Sequence, residues 1–291
     1  MSKRSHRLIA FAFLLFLGHL WLIPASFAQD DVDEEVKNKC KQFREFAKFI
    51  QGKAASKSVV ESDKKANTTS TSLSTFKQNK TCVLIVFKTQ RDGKGISEVA
   101  YGINSKYEFE MVNTRQEIWV LRKLVAGDPV KAKDSDWNLR DHVFDSLTLA
   151  HARELLEKTC KVTKTQPKTV NRMELVLLDY ERSPTKDLPY ESKGRMTFNR
   201  TMGLALMKVE AVSKYKNDVT TSTVDYEYAG KLKDFAKLTR TTMNSSTRVA
   251  DGSTRKSTTV TEYDLRYDEK VPDVDFMLSA FGLPEPMGVP K

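Results

Sequence analysis

Histidines, cysteines and closely spaced acids are the residues of this chain that could do chemistry. Of four histidines, His6 and His19 lie in the first thirty residues, which leaves His142 and His151. His151 stands among Phe144, Leu147 and Leu155 and reads as a packed or surface histidine. Asp141 and His142 with Asp145 do not repeat at the three- or four-residue steps that put metal ligands on one helix face. No Gly-x-Ser-x-Gly elbow is present for an acyl-transfer serine. Asp92-Gly93-Lys94-Gly95 is a turn and not a phosphate cradle. Glu108 with Glu110, and Asp225 with Glu227, each point to one face of a strand. Two acids about 5 to 10 Å apart suffice for glycosidase chemistry, a condition that a chain with 38 acids meets by chance, so these pairs read as solvated sheet faces. The expectation is a noncatalytic protein with no cofactor and no metal.

The three cysteines, Cys40, Cys82 and Cys160, are too far apart for a CxxC redox or zinc motif. An odd number allows at most one bridge and a leftover thiol. Cys82 falls in the apolar run Thr81–Phe87, where a thiol packs like a small apolar side chain. Cys40 and Cys160 fall in helical patterns, and a bridge between them stays open at this level.

The N-terminus supplies an address. Lys3, Arg4 and Arg7 precede an apolar run from Leu8 to Ile23. Pro24-Ala25-Ser26-Phe27-Ala28 then offers small residues for cleavage after Ala28. This is the pattern of a secretory signal peptide, and the run of about 16 residues is shorter than the roughly 20 that span a bilayer. The expectation is export to the periplasm or beyond, with residues 29–291 as a single domain and no transmembrane anchor after cleavage. The formal charge of +10 comes from Lys and Arg scattered among acids. Without a basic block, and with export, nucleic acid is not an expected partner.

The elements follow from periodicity. Val32, Val36, Cys40, Phe43, Ala47 and Ile50 predict an amphipathic helix over 32 to about 51, capped by Asp30 or Asp31 and stopped at Gly52. Residues 53–72, rich in Lys, Ser, Thr and Asn, read as a polar loop or weak edge strand. Strands are predicted over 80–89, 96–104, 106–113 and 116–125. A second helix is predicted over 139–158 from Leu139, Val143, Leu147, Ala150 and Leu155, with Pro167 separating it from the second half. Further strands are predicted over 172–182, 194–200, 203–215, 219–228, 235–243 and 257–267, with turn signals between them. The tail, 271–291, carries Phe276, Leu278 and Phe281 to pin it onto the sheet. The predicted fold class is therefore α+β: a long curved antiparallel β-sheet, a half-barrel, packed on two helices. The late strands are rich in Thr. Rows of Thr can bind ice or extended glycans, but the irregular repeat favours ordinary strand propensity.

Two stretches carry a resemblance. Asn104-Ser105-Lys106-Tyr107-Glu108-Phe109 and the ending Phe276 to Pro286 resemble exported proteins of unknown function from planctomycete-type bacteria, a likeness that brings no catalytic residues. In layout the chain is similar to the LolA-like periplasmic lipoprotein-carrier half-barrels, in which a sheet curls around helices and leaves an apolar cavity for an acyl chain. That likeness implies binding of a lipid or lipoprotein in the concave face, with Phe109, Met111, Trp119, Leu121, Tyr226 and Tyr228 as candidate lining residues, each of which also suits plain core. The alternatives are an envelope module that holds a protein partner without a small ligand, and an enzyme of unrecognised type.

Overall fold

A computed structural model describes residues 25–46, 49–79, 82–113, 118–127, 160–184, 189–232, 235–267 and 270–287. The expected helix at 139–158, and with it His142 and His151, lies outside these residues. Among them is one α-helix, α1 (Ala25–Phe46), together with short 3-10 turns and one antiparallel sheet of thirteen strands. The expectation of a sheet packed on two helices is thereby corrected: the described sheet carries one.

The strands are β1 (Phe49–Ser62), β2 (Thr68–Asn79), β3 (Cys82–Arg91), β4 (Lys94–Ile103), β5 (Tyr107–Asn113), β6 (Trp119–Ala126), β7 (Lys161–Val170), β8 (Met173–Arg182), β9 (Glu191–Asn199), β10 (Ala205–Tyr215), β11 (Asp218–Leu232), β12 (Phe235–Arg248) and β13 (Thr254–Tyr267). Their order across the sheet is β6-β5-β4-β3-β2-β1-β13-β12-β11-β10-β9-β8-β7. Two meanders thus fan out from a central seam in which β1 pairs with β13, from Ile50 opposite Tyr267 to Ser62 opposite Arg255. The edges are β6 and β7.

Three strands depart from the sequence expectation. The helix ends at Phe46, and the chain enters β1 at Phe49. Gly52 does not stop a helix; it lies in β1, where an added Cβ would stand 2.2 Å from the Asp264 carbonyl oxygen of β13. The polar stretch expected as a loop or weak edge strand forms the rest of β1 and the start of β2, inside the sheet and not at its edge, because their Ser and Thr rows satisfy a pleated surface without large apolar residues. Pro167 lies within β7 and not before a strand; an edge strand tolerates a residue that cannot donate to a ladder. The expected caps Asp30 and Asp31 lie inside α1, which begins at Ala25.

The sheet buries both faces, but in different places. On the inner face α1 sets Val36, Cys40 and Phe43 against Ile50, Phe76, Ile85, Leu178, Met196, Leu206, Leu238 and Leu265. On the outer face of β3–β6, the C-terminal segment lays Val271, Phe276 and Leu278 over Cys82, Leu84, Ala100, Tyr107, Phe109 and Met111. Strand β3 serves both cores by alternation: Cys82 and Leu84 point outward, Val83 and Ile85 inward. Cys40 carries a free thiol, so the Cys40–Cys160 bridge does not form.

Candidate functional site

The inner face is where the fold leaves room. Helix α1 crosses it and is tied down at its sides: Thr165 of β7 donates a hydrogen bond to Asp33 at 2.6 Å, and Arg200 pairs with Glu35. Phe43 and Phe46 close on Phe235, at the start of β12, with ring centroids 5.3 and 4.8 Å away. Between this aromatic contact and the sheet runs a crevice lined by Cys40, Phe43, Leu204, Leu206, Tyr228 and Leu238, with Lys39 at its rim. The Lys39 ammonium lies 4.5 Å from the centre of the Phe235 ring, an arrangement in which a cation rests on the negative face of an aromatic. Tyr228 donates its hydroxyl to the Leu206 carbonyl at 2.7 Å, which fixes the wall between β10 and β11. The cavity volume is about 40 Å³. A water needs about 10–15 Å³ measured in this way, so the crevice has room for a few waters and none for an acyl chain.

Electrostatically this site is quiet. Burial pushes the Cys40 thiol up to about 12, so it stays neutral and unreactive at neutral pH. Tyr226, deeper on the same face, is also held well above the ordinary phenol value, first by burial and then by the neighbouring Tyr263 and Tyr180. Among the described residues no cluster of His, Cys, Asp and Glu could hold a metal ion.

The six candidate lining residues do not come together. Tyr226 and Tyr228 face inward. Phe109 and Met111 are buried on the outer face beneath the tail, at 1% and 0% exposure. Trp119 packs there against Phe281, with ring centroids 5.2 Å apart. Leu121, opposite Met111 in the ladder, shares that face at the exposed edge. Alternation along β5 was legible in sequence, but not which face α1 would take, because Glu108 and Glu110 give the inner side of β5 a polar look. Sequence reasoning also missed Leu206, Phe235 and Leu238, which are separated from Cys40 by most of the chain; the apolar positions at either end of β10 and β12 were the available signal.

The two stretches that carry the planctomycete-type resemblance do meet. Asn104 donates its side-chain amide to the Phe276 carbonyl at 2.9 Å, and its oxygen accepts the backbone N–H groups of Lys106 and Tyr107. The Tyr107 hydroxyl donates to Glu285 and accepts from the Leu278 N–H at 3.0 Å. Glu285 also accepts the Ser279 N–H at 2.8 Å. Asn79 and Lys77 of β2 hold Val271, Asp273 and Asp275 further along. These motifs form a latch for the tail on the outer face, not a site.

No family model matches the chain, nor does any curated protein. Among solved structures the chain is similar to a LolA superfamily protein from Nitrosomonas europaea, with 12% identity over 84% of this chain and 96% of that one and a TM-score of 0.44. It is similar in the same degree to a DUF1329 family protein from Desulfovibrio piger ATCC 29098, with 14% identity over 85% and 98% of the two chains and a TM-score of 0.44. Among the described residues no helix is long and apolar enough to cross a membrane.

Proposed function

We propose that this is an exported, noncatalytic protein that takes a lipid or acylated chain between α1 and the inner face of its sheet. The observation that carries this reading is the crevice under α1: apolar walls from Cys40, Phe43, Leu206 and Leu238, and a single charged group, Lys39, at the rim. Sites for small ligands are concave and mainly apolar, with few polar groups, and Tyr226 and Tyr228 extend this one along β11. The present volume requires α1 to swing on its contact with Phe235 as a ligand enters. The signal-peptide pattern of residues 1–28 supports an envelope location for such a carrier.

Native mass spectrometry of the full chain, before and after solvent extraction, tests the reading. The expected result is a co-purified apolar ligand, or uptake of a fluorescent fatty acid after extraction, with uptake reduced at least about tenfold in Leu206→Trp, which fills the crevice. Protein that is free of ligand and takes up no fatty acid overturns it.

A second reading is favoured by one observation at the edge. Among the described residues Ile118 and, along β6, Val120, Leu121, Leu124 and Val125 are 36–55% exposed, and an apolar edge is a template for an added strand. This suits an envelope module with a protein partner. A photocrosslinker at Val120 that traps one partner in the envelope, with no lipid bound to the chain, decides for it.

A further inference from the structure

The five central strands sort their residues by face, and the sorting is not the one solvent alone would produce. The outward positions of β1, β13, β12 and β11 carry charge, as at Lys57, Lys256, Glu262, Arg240 and Glu227, each opposite its neighbour in the ladder or one pair away. The inward positions of β2, β1, β13, β12 and β11 carry none between the helix-covered end and the strand tips, where Asp218 and Arg255 mark the return of charge. In their place stand hydroxyls: Ser72, Ser58, Thr259, Thr261, Ser245 and Ser222. These rows are half-buried, whereas the outward Lys53, Ala55 and Lys57 on the same strand are exposed. Such alternation follows the two-residue period of a strand.

The hydroxyls are paired across strands. Ser56 and Thr261 stand 2.8 Å apart, Thr259 donates to Ser58 at 3.0 Å, and Ser245 to Ser257 at 3.4 Å. Each hydroxyl keeps lone-pair capacity for a further hydrogen bond. On β13 the row leads from Thr259 and Thr261 to Tyr263, while on β11 and β12 the inward Val224 and Met243 stand between Ser222 and Ser245 and the apolar end at Tyr226 and Tyr228. Ser222 lies four residues beyond Tyr226 on β11, about 13 Å along a strand. The inner face is thus two-part: apolar under the helix, and hydroxyl-lined and charge-free beyond it.

We propose that the ligand is an amphiphile with an uncharged polyhydroxyl headgroup, such as the sugar of a glycolipid, whose chain enters the crevice while the head lies on the Ser/Thr rows. This deepens the lipid-binding reading and rests on it. A sugar exchanges its hydrogen bonds with water for bonds to these hydroxyls. A phosphate, carboxylate or ammonium head in the same half-buried place would lose water, and short of the tips the described inward side chains of these five strands offer no counter-charge.

The test uses the full chain and three probes that share one alkyl chain: octyl glucoside, octanoate and octyltrimethylammonium, titrated calorimetrically below their micelle concentrations. Octyl glucoside is expected to bind at least about tenfold more tightly than either charged probe. The pair Thr259→Val and Ser222→Ala should bring that ratio close to one while octanoate binding is unchanged; Val keeps strand propensity, and Thr259→Ser should restore the preference. Equal binding of all three probes, or a preference that survives the paired substitution, overturns the headgroup inference and leaves the apolar reading standing. Binding of none of them sinks both.

Discussion

At the scale of single residues, Tyr107 shows how much depends on one hydroxyl. It is buried, donates to Glu285 and accepts from Leu278, and its pKa is pushed up to about 12, first by burial and then by the Glu285 carboxylate. Glu285 moves the other way: burial alone would raise it, but the hydrogen bonds from Tyr107 and Ser279 outweigh burial and leave it lowered. The two shifts bracket a pH window. The contribution of Glu285 is present above the carboxylate value of an unfolded chain and lost as pH falls through its lower folded value. That of Tyr107 is complete below about 10, the ordinary phenol value, and lost as pH rises through about 12. The tail should therefore stay docked at neutral pH and loosen at both extremes, read from the fluorescence of Trp119, which packs on Phe281, in a chain with its other tryptophans replaced. Tyr107→Phe leaves a buried N–H at Leu278 without its acceptor and removes one hydrogen bond from Glu285, and should cost about 1–3 kcal/mol in urea unfolding. Cys40 offers a separate check: with its thiol held neutral, alkylation at pH 8 should be far slower in the folded chain than in urea.

At the scale of elements, the apolar stripe is the main hold on α1 among the described side chains. Val36, Cys40 and Phe43 are buried, while the ion pair of Arg200 with Glu35 is partly exposed and contributes little. Phe43→Ala should cost about 3 kcal/mol and expose α1 to proteolysis before the sheet, seen as early cleavage within residues 25–46. The stripe of α1 was readable from its spacing; its end was not. Ala47 and Ile50 continue the helical period, yet Ile50 is claimed by the sheet, where it is 1% exposed. The tertiary ladder to Tyr267 and Gln78 outweighs a local preference of a few tenths of a kcal/mol per residue. The strands β1 and β2 read only as a loop or weak edge strand for the converse reason. Their partners lie on both sides in the sheet, so they need no apolar signature of their own.

At the scale of the whole molecule, the β1–β13 seam joins the two ends of the described chain, with Ser56 and Thr261 separated by 205 residues. Both meanders are otherwise built from neighbours in sequence. Closing the seam requires the largest loop-closure entropy and should come late in folding. Gly52→Val places a side chain against the Asp264 carbonyl and should open the seam at a cost of about 3 kcal/mol or more. Denaturant unfolding that then splits into two transitions, one per meander, is the expected signature; a single transition at the unchanged midpoint would show that the seam carries no such role. Amide exchange should be slowest in β1 and β13 and fastest in β6 and β7, the two edges.

What the sequence determined by itself is local: which segments alternate, where turns break them, which stripe of α1 is apolar, and the scarcity of histidine that leaves most proton-transfer chemistry without its usual carrier. These are properties of neighbours along the chain, where side-chain period and turn chemistry act over a few residues. Which face of each strand lies inside was decided only when β1 met β13 and α1 took one side of the sheet. That choice separated Tyr226 and Tyr228 from Phe109 and Met111, and gathered hydroxyls from five strands into one concavity. Pairings across two hundred residues leave no periodic trace in the segments that make them, so this arrangement exists only in the folded sheet.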